Sequence, residues 1–343
     1  MVGVNSSLGS TDKTPSESAT VAAIQKTLHA QVVRVSLRWD QVEPAQGKFD
    51  WSRLDDVVAN LRAAGIEPVF VVVGSPSWAN GMRASKRNQY LYVPPRGAAL
   101  SKWLRNYSSF LALAVKRYDR FVRRWEIWNE PNLAATWRPR PDPAEYVSVY
   151  ERLRNTIVIR EPQAQVAVGG LGDPSTASAP NVSGLAFLRA LIRAQAPLDN
   201  VAIQPFTSND HPPGTHVSGQ NNFDDIEQVH KLLVRHGVRA AMWVTAWGWP
   251  STKVGAERQA QYVDRSMSLL ENRYPFVRLA AYSLDHDVPP VFSQGLLSGG
   301  LKPKPAAVAF RAHADLAAIR CSTQTALAGA PGRRGQTPSA AGG

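Results

Sequence analysis

Residues 124–132, with the sequence RWEIWNEPN, place an amide and a carboxyl group side by side among indole rings. The aromatic and β-branched residues of this stretch are typical of a buried strand, and Pro131 should end it because proline cannot donate a ladder hydrogen bond. Asn129 and Glu130 are then expected at the strand tip. A carboxyl group among indoles is poorly solvated, which raises its pKa and lets it protonate a leaving oxygen near neutral pH. We therefore interpret Glu130 as a general acid rather than as a residue that merely caps a turn.

Short apolar runs alternate along the chain with amphipathic stretches, and this alternation supplies the elements that would position Glu130. The apolar runs predicted to be strands cover residues 2–4, 32–39, 68–73, 124–130, 166–170, 201–203, 241–245 and 277–284. The amphipathic stretches predicted to be helices cover residues 17–30, 52–64, 101–118, 142–160, 185–194, 223–236, 257–273 and 305–319. Strand–helix units in this number and order predict an α/β fold with a single (β/α)8 TIM barrel over residues 1–320.

An open doubly wound sheet is the alternative fold class. It is disfavoured because residues 4–7, VNSS, lack the glycine-rich turn that cradles a phosphate after the first strand of that fold. Residues 321–343 are rich in Ala, Gly, Pro, Ser and Thr, a composition that predicts a disordered tail after the barrel.

In a (β/α)8 barrel the functional residues lie at the carboxyl ends of the strands, which selects the candidate ligand contacts. Indole and phenol rings there can stack on a sugar face, and amide, imidazole or guanidinium groups can donate hydrogen bonds. The candidates are Arg38, Trp78, Trp128, Trp137, Gln204, His211, Trp247, Trp249 and Tyr282. Other interpretations remain open. Arg38 could pair with Asp40 at the rim, Trp78 could form a lid, the strand-seven indoles could pack beneath a loop, and His211 could be a surface residue.

Composition narrows the classes of partner. The chain has 343 residues, 44% of them hydrophobic, and no apolar run long enough to span a bilayer. Its formal net charge of +12 favours acidic partners. The basic residues are nevertheless spread along the chain without a nucleic-acid motif, so we favour a solvated basic surface and expect no nucleic-acid partner. Asp285, His286 and Asp287 resemble a metal-ligand set, but adjacent strand residues point to opposite faces, so we expect neither metal nor cofactor.

The cysteine content and the start of the chain bear on its location. Cys321 is the only cysteine, so no internal disulfide can form. Met1 lies almost directly before the first apolar run, so we expect no signal peptide within this chain. We expect the native protein to be secreted or held in the cell envelope, with a cytoplasmic location left open, and to act as a monomer.

Several motifs together resemble those of retaining glycoside hydrolases of clan A, in particular families 39 and 5. The motifs are residues 125–131 (WEIWNEP) and 245–250 (TAWGWP), supported by residues 34–39 (RVSLRW) and 43–51 (EPAQGKFDW). The resemblance extends over nearly the whole chain. It implies a general acid/base at Glu130, a hydrogen bond from Asn129 to the sugar 2-hydroxyl, and a glutamate nucleophile on strand seven. The implied partner is an oligo- or polysaccharide, and the basic balance favours an acidic or cell-envelope glycan.

Ala246 occupies the position at which the resemblance implies that nucleophile. Either an engineered Glu→Ala replacement or a natural non-catalytic carbohydrate-binding protein on the same barrel would explain the alanine. We favour the replacement because the surrounding motif is intact. Strand six also departs from the family, since residues 204–206 read Gln-Pro-Phe where His-Pro-Tyr is usual, and the missing hydroxyl would ordinarily bond the nucleophile. The sequence thus predicts a retaining glycoside hydrolase whose present chain lacks its nucleophile.

Overall fold

A computed structural model describes residues 1–9 and 15–328, with side chains through residue 320. At its centre is a closed parallel barrel in which each strand pairs with the next, and β1 closes on β8 with Gly3 beside Ala281. The strands are β1 (Val2–Asn5), β2 (Val32–Arg38), β3 (Glu67–Val73), β4 (Arg124–Asn129), β5 (Gln165–Leu171), β6 (Asn200–Ile203), β7 (Ala241–Val244) and β8 (Val277–Tyr282). The predicted (β/α)8 barrel is confirmed.

The long helices follow the strands in the predicted order. The helices are α1 (Glu17–Ala23), α2 (Trp39–Val42), α3 (Ser52–Ala63), α4 (Ser77–Asn80), α5 (Ala98–Tyr118), α6 (Pro143–Val158), α7 (Gly184–Arg193), α8 (Asp225–Arg235), α9 (Ser251–Val254), α10 (Ala256–Asn272) and α11 (Pro305–Ala328), and α1 continues as a π-helix over Ile24–Leu28. The sequence did not predict the short helices α2, α4 and α9, which lie in the loops after β2, β3 and β7. Within residues 1–9 and 15–328, no helix combines the length and the apolar character needed to cross a bilayer.

The predicted tail begins inside the last helix. α11 was expected to end at residue 319 but runs through Ala328, past the predicted start of the tail at residue 321. Residues 329–343, the remainder of that prediction, lie outside the described residues.

Side-chain alternation along β4 decides which residues enter the barrel. Trp125 and Ile127 belong to the outer core between strands and helices, where Trp125 lies edge-on to Phe70 with ring centroids 5.6 Å apart. Glu126 lies between them in sequence and is fully buried inside the barrel. This is the alternation expected of a strand that is covered on both faces.

The barrel interior is filled in two layers. The lower layer is an apolar cluster made of Val32, Val69, Ala167, Ala202, Trp243, Leu279 and Ala281. Toward the carboxyl ends of the strands the interior becomes polar, and we call this layer the polar floor. It consists of Asn5, Arg34, Glu126, Asn129 and Gln204, which are linked by hydrogen bonds. The polar floor supports the candidate site above it.

Candidate active site

Glu130 lies at the tip of β4, at the carboxyl end of the barrel. Its backbone adopts a left-handed φ of 48°, held by a bond from its N–H to the Gly170 carbonyl (3.0 Å) and from the Thr136 hydroxyl to its own carbonyl (2.6 Å). Few non-glycine residues adopt this conformation, and such residues cluster at functional sites. The side chain is half-buried, and desolvation raises the pKa of its carboxyl to about 7. Glu130 can therefore carry a transferable proton near neutral pH.

Asn129 is oriented by two donors. Its Oδ1 accepts hydrogen bonds from Arg34 Nη2 and from Gln204 Nε2, both at 2.8 Å. The Nδ2 group is thereby turned toward Glu130, with 3.4 Å between Nδ2 and Glu130 Oε2. A second N–H of the same amide remains available to donate to a ligand hydroxyl.

A buried ion pair that the sequence analysis did not identify fixes the centre of the polar floor. Arg34 donates to both carboxylate oxygens of Glu126, from Nε at 2.9 Å and from Nη2 at 2.8 Å. Glu126 also accepts from the Gly170 N–H at 2.6 Å and is completely buried. The only signal in the sequence is a charged residue inside each of two apolar strands, since buried charges are expected to be paired.

Asn5 connects this pair to the end of β7. Its Oδ1 accepts from Arg34 Nη1 at 2.7 Å, and its Nδ2 donates to the carbonyl oxygens of Thr245 (2.7 Å) and Tyr282 (2.9 Å). Ala246 is the next residue after Thr245 and is 7% exposed. Glu130 and Ala246 therefore lie at the same end of the barrel, joined through a continuous chain of hydrogen-bonded groups.

The end of β6 also reaches this centre. Gln204 is buried beside Asn129, whereas Phe206 is half-buried two residues further along. A methyl group placed on Gly170 would lie 2.6 Å from both Gln204 Nε2 and Thr245 Oγ1, so these two groups approach one point inside the barrel. Thr245 Oγ1 is buried and has no hydrogen-bond partner among the described residues.

The structure corrects the prediction that five of the candidate rings stack on a ligand, because each ring is at most 1% exposed and offers no face to a ligand. The rings are those of Trp128, Trp137, Trp247, Trp249 and Tyr282. Their polar atoms serve the fold: the indole N–H groups of Trp128, Trp137 and Trp247 donate to the Thr136 carbonyl, Glu145 and Ser266. The alternative that the strand-seven indoles pack beneath a loop describes Trp247 and Trp249.

Arg38 lies at the rim and does not reach the carboxylates of the polar floor. It forms a two-bond ion pair with Asp40, at 2.8 and 2.6 Å, and its guanidinium lies 3.5 Å from the Tyr90 ring centroid. The rim-pair interpretation of Arg38 is therefore the one that fits, and Arg34 is the arginine that contacts a carboxylate of the polar floor. Both arginines lie on β2 and are four residues apart, so strand alternation places them on the same face and sequence alone could not choose between them.

Trp78 and His211 are both held within loops. Trp78 is half-buried, and its Nε1 donates to the Glu43 carbonyl at 3.0 Å. His211 is bonded through its two ring nitrogens to the Ser208 carbonyl (2.6 Å) and to Asn222 Oδ1 (3.0 Å). These bonds make His211 a structural link in the loop after β6 rather than a free ligand contact.

The acidic cluster at the end of β8 is divided between separate partners. Asp285 accepts from Ser6 Oγ at 2.8 Å, and Asp287 pairs with Lys304 at 3.1 Å. No group of three or more His, Cys, Asp or Glu side chains in the described part of the chain is arranged to hold a metal ion.

Comparison with known proteins gives matches of fold. A family model described as Beta-galactosidase (Glyco_hydro_42) matches residues 14–104, and a search of curated proteins finds no match. The chain is similar to the structure of a family 39 glycoside hydrolase from the gut symbiont Bacteroides cellulosilyticus WH2, with 23% identity, a TM-score of 0.72, and coverage of 92% of this chain and 63% of that one. It is also similar to a monomeric β-xylosidase from Caulobacter crescentus CB15, with 19% identity, a TM-score of 0.69, and coverage of 90% of this chain and 66% of that one. A third similar structure is an intracellular xylanase from Thermoanaerobacterium saccharolyticum JW/SL-YS485, with 12% identity, a TM-score of 0.63, and coverage of 90% of this chain and 94% of that one.

These likenesses confirm the resemblance to clan A glycoside hydrolases at the level of the fold. The chain spans slightly less than two thirds of the length of the first two structures. Because identity is below a quarter throughout, the activity of the chain has to be argued from its own site.

Proposed function

We propose that this chain binds an oligo- or polysaccharide at the carboxyl end of its barrel, in a site built for retaining hydrolysis of a glycosidic bond, with Ala246 at the nucleophile position. The observation that carries the proposal is Glu130, a half-buried carboxyl on a strand tip whose pKa is raised to about 7. It stands beside Asn129, an amide that two donors orient before any ligand arrives. The glycoside hydrolase barrels to which the chain is similar support the choice of glycan as ligand.

Glu130 supplies the acid step of such a reaction. As the glycosidic bond breaks, its proton passes to the leaving oxygen, and a carboxyl group that titrates near pH 7 can later take a proton from the attacking water. The remaining N–H of Asn129 donates to the sugar 2-hydroxyl, a bond that strengthens in the transition state. Because Arg34 and Gln204 hold this amide, little reorganisation is needed on binding.

Position 246 lacks the group that would complete a retaining pair. The second carboxylate of such a pair lies about 5 to 5.5 Å from the acid and attacks the anomeric carbon. Ala246 follows β7 at the same end of the barrel as Glu130 but has no nucleophilic atom. No covalent glycosyl-enzyme can form, so hydrolysis by this route should be lost while glycan binding persists.

The test is the variant Ala246→Glu, which we call the reconstituted variant. We expect it to raise kcat/KM on at least one sugar in a panel of aryl β-glycosides, starting with xylosides and galactosides, by roughly 10³-fold or more. Ala246→Gln is the matched control, because it has nearly the same volume without the nucleophilic charge. Activity of the glutamine variant equal to that of the glutamate variant, or an inert reconstituted variant on every sugar, would contradict the retaining site.

Azide gives a test on the chain without substitution. A small anion that enters the space left by Ala246 should attack the anomeric carbon of an activated aryl glycoside and yield a glycosyl azide. The rate should rise with azide concentration and should not rise in Glu130→Gln when the leaving group is poor, since that leaving group needs the proton of Glu130.

A natural non-catalytic glycan-binding protein is the second candidate, and strand six favours it. Phe206 lacks the hydroxyl that the resemblance pairs with the nucleophile, and Gln204 serves instead to hold Asn129. The double variant Ala246→Glu, Phe206→Tyr separates the two candidates. If it is inert although calorimetry shows intact glycan binding, the non-catalytic function is supported and the glycosidase function fails.

The class of glycan and the setting are further proposals. The formal charge of +12 favours an acidic or cell-envelope glycan over a neutral one. We propose that the protein acts outside the cytoplasm. We also propose that it is a monomer, as is the similar β-xylosidase from Caulobacter crescentus. Light scattering of the purified chain and binding to neutral and acidic glycans at several salt concentrations would test these points.

A further inference from the structure

We propose that the groove between α5 and α6, on the outer side of the barrel, is a second binding site, and that its ligand is a polyuronate, a chain of sugars that carry carboxylate groups. The residues that line the groove belong to α5, to α6 and to the two positions after α6. None of them lies at the carboxyl end of a strand, so the groove is separate from the candidate active site. The preference for a glycan over another polyanion rests on the proposed function, whereas the anionic character of the ligand does not.

The charge of the groove comes from three arginines that are far apart in the sequence. Arg105 lies on α5, Arg152 on α6 and Arg160 just beyond α6, and all three side chains are exposed. In the part of the chain whose side chains are described, no acidic side chain lines the groove and none of these guanidinium groups forms an ion pair. By contrast, Arg154 on the same helix pairs with Asp199. The groove therefore presents positive charge that an anionic ligand can neutralise.

The groove is large enough to contact more than one sugar. Its volume is about 530 Å³, which lies in the range of small-molecule sites. Arg152 and Arg160 are eight positions apart, which corresponds to about 12 Å along a helix. Arg152 Nε donates to Ser108 Oγ at 3.0 Å, and this bond holds the guanidinium between the two helices. Because a guanidinium has several N–H donors, the others remain available to an anion.

The side chains of the groove combine the kinds of contact that an acidic sugar needs. A guanidinium presents a planar fork that matches the two oxygens of a carboxylate, and these hydrogen bonds are charge-assisted. Ser109 and Asn155 are exposed beside the arginines and can exchange hydrogen bonds with sugar hydroxyls. Ile159, which is 75% exposed, adds an apolar surface for a ring face. A free anion would use the arginines alone, so the whole set fits an acidic glycan better.

Charge and chemistry also separate this ligand from other occupants. A second copy of the chain, with its formal net charge of +12, would bring like charge to the groove. Single-stranded nucleic acid offers negative charge, but proteins that bind it stack its bases on aromatic side chains, and no aromatic ring is among the described residues that line the groove. A polyuronate uses the charge, the hydroxyl and amide groups and the apolar surface together.

The experiment measures binding by isothermal titration calorimetry at low salt, in a buffer without phosphate. The ligand is a hexamer of galacturonic acid, and its fully methyl-esterified form is the matched neutral ligand. The groove variant carries the substitutions Arg105→Gln, Arg152→Gln and Arg160→Gln. The control variant has the same net charge but loses three exposed arginines outside the groove, through Arg235→Gln, Arg239→Gln and Arg258→Gln.

We expect the control variant to bind the acidic hexamer as the unsubstituted chain does, and the groove variant to bind it at least about tenfold more weakly, the scale of three exposed charge-assisted contacts. Affinity for the acidic hexamer should fall as salt rises, and the esterified hexamer should bind more weakly than the acidic one. Equal losses in the groove and control variants would show that net charge alone attracts the ligand, and would overturn the proposal.

A single substitution tests the same groove with all three arginines in place. Asn155→Glu adds a carboxylate beside them at an exposed position of α6, and glutamate is a good helix former, so the fold should be retained. The new carboxylate competes with the ligand for the guanidinium groups, so the acidic hexamer should bind more weakly. Full affinity in this variant would contradict the proposed site.

Two other anions test the choice of a glycan. Inorganic phosphate and a thymidylate hexamer are titrated into the unsubstituted chain, and both should bind more weakly than the acidic sugar hexamer. Binding of the thymidylate hexamer as tight as that of the sugar, or equally tight binding of phosphate alone, would contradict a polyuronate site.

A last comparison separates this inference from the proposed function. Asn129→Ala removes an amide of the candidate active site and should not weaken binding at the groove. If Asn129→Ala abolishes binding of the acidic hexamer while the groove variant binds it normally, the ligand occupies the active site and the groove proposal fails. If the reconstituted variant is inert on every aryl glycoside, the proposed function fails, whereas the groove and control variants still decide whether the groove binds a polyuronate.

Discussion

Replacing Glu130 with glutamine should stabilise the protein at neutral and alkaline pH, because the fold holds this carboxyl in a form that water would ionise. Desolvation raises the pKa of Glu130 from 4.5 to about 7. Between these values the folded chain keeps the proton and the unfolded chain releases it, so each rise in pH favours unfolding. The loss of stability begins near pH 4.5 and is complete above about pH 7. Glu130→Gln removes the titrating group and with it this loss.

The magnitude follows from the same shift. Each pH unit corresponds to about 1.36 kcal/mol, so a shift of about 2.5 units limits the effect to about 3.4 kcal/mol. Because the side chain is half-buried and partly screened by water, we expect about 1.5 to 3 kcal/mol. Glutamine has nearly the same volume and can still accept the hydrogen bond from Asn129, so packing should contribute little to the difference.

Urea denaturation at pH 4.5, 6 and 8 measures the effect as a free energy of unfolding. The advantage of Glu130→Gln over the unsubstituted chain should grow from pH 4.5 to 7 and then level off. Glu257→Gln, at an exposed position on α10, controls for the loss of a carboxylate by itself. A difference that does not change with pH, or one that shrinks as pH rises, would refute the reasoning about the acid.

Three further substitutions test the residues that surround Glu130 and the polar floor beneath it. Gly172→Ala would place a methyl group 2.8 Å from both Glu130 Oε1 and Leu133 Cδ1. It should displace the flexible Glu130 carboxyl and lower kcat of the reconstituted variant at least about tenfold with little change in Tm. Gly169→Ala is the comparison, because its methyl group would lie 2.6 Å from backbone carbonyls of β4, and it should cost about 2 to 4 kcal/mol of stability in urea. Arg34→Met strands the buried Glu126 carboxylate and should cost about 3 to 5 kcal/mol, part of which Glu126→Gln in the same chain should recover.

The barrel could be predicted from the sequence because strand and helix periods are local properties. Each predicted strand contains an observed strand or overlaps it closely, and Asn129 and Glu130 lie at the end of β4, where the sequence predicted them. The short helices after β2, β3 and β7 were missed because helices of a single turn carry too little periodicity to detect.

The faces of the strands could not be predicted in the same way. Strands covered on both sides read as continuous apolar runs, so the sequence does not show which residues point inward. Trp247 and Trp249 lie near the barrel mouth in sequence but are buried in the outer core. The partners of the polar floor were missed for a related reason, since Arg34 and Glu126 are far apart in the chain and meet only when the barrel closes.

The same site contains residues that the fold requires and residues that it does not, and the difference bears on whether the acid is functional. The Arg34–Glu126 pair is completely buried on its acidic side, so losing either partner would leave an uncompensated charge. Its presence therefore says little about activity. Glu130 is different, because the raised pKa of its carboxyl is expected to destabilise the folded chain at neutral pH, and glutamine has nearly the same volume. A raised pKa and a left-handed backbone at the same residue are features expected of a residue with a functional proton, and they support the proposed role of Glu130. If Glu130→Gln proves neutral at every pH, that explanation loses its physical basis, and the chain should be regarded as a glycan-binding barrel without an acid.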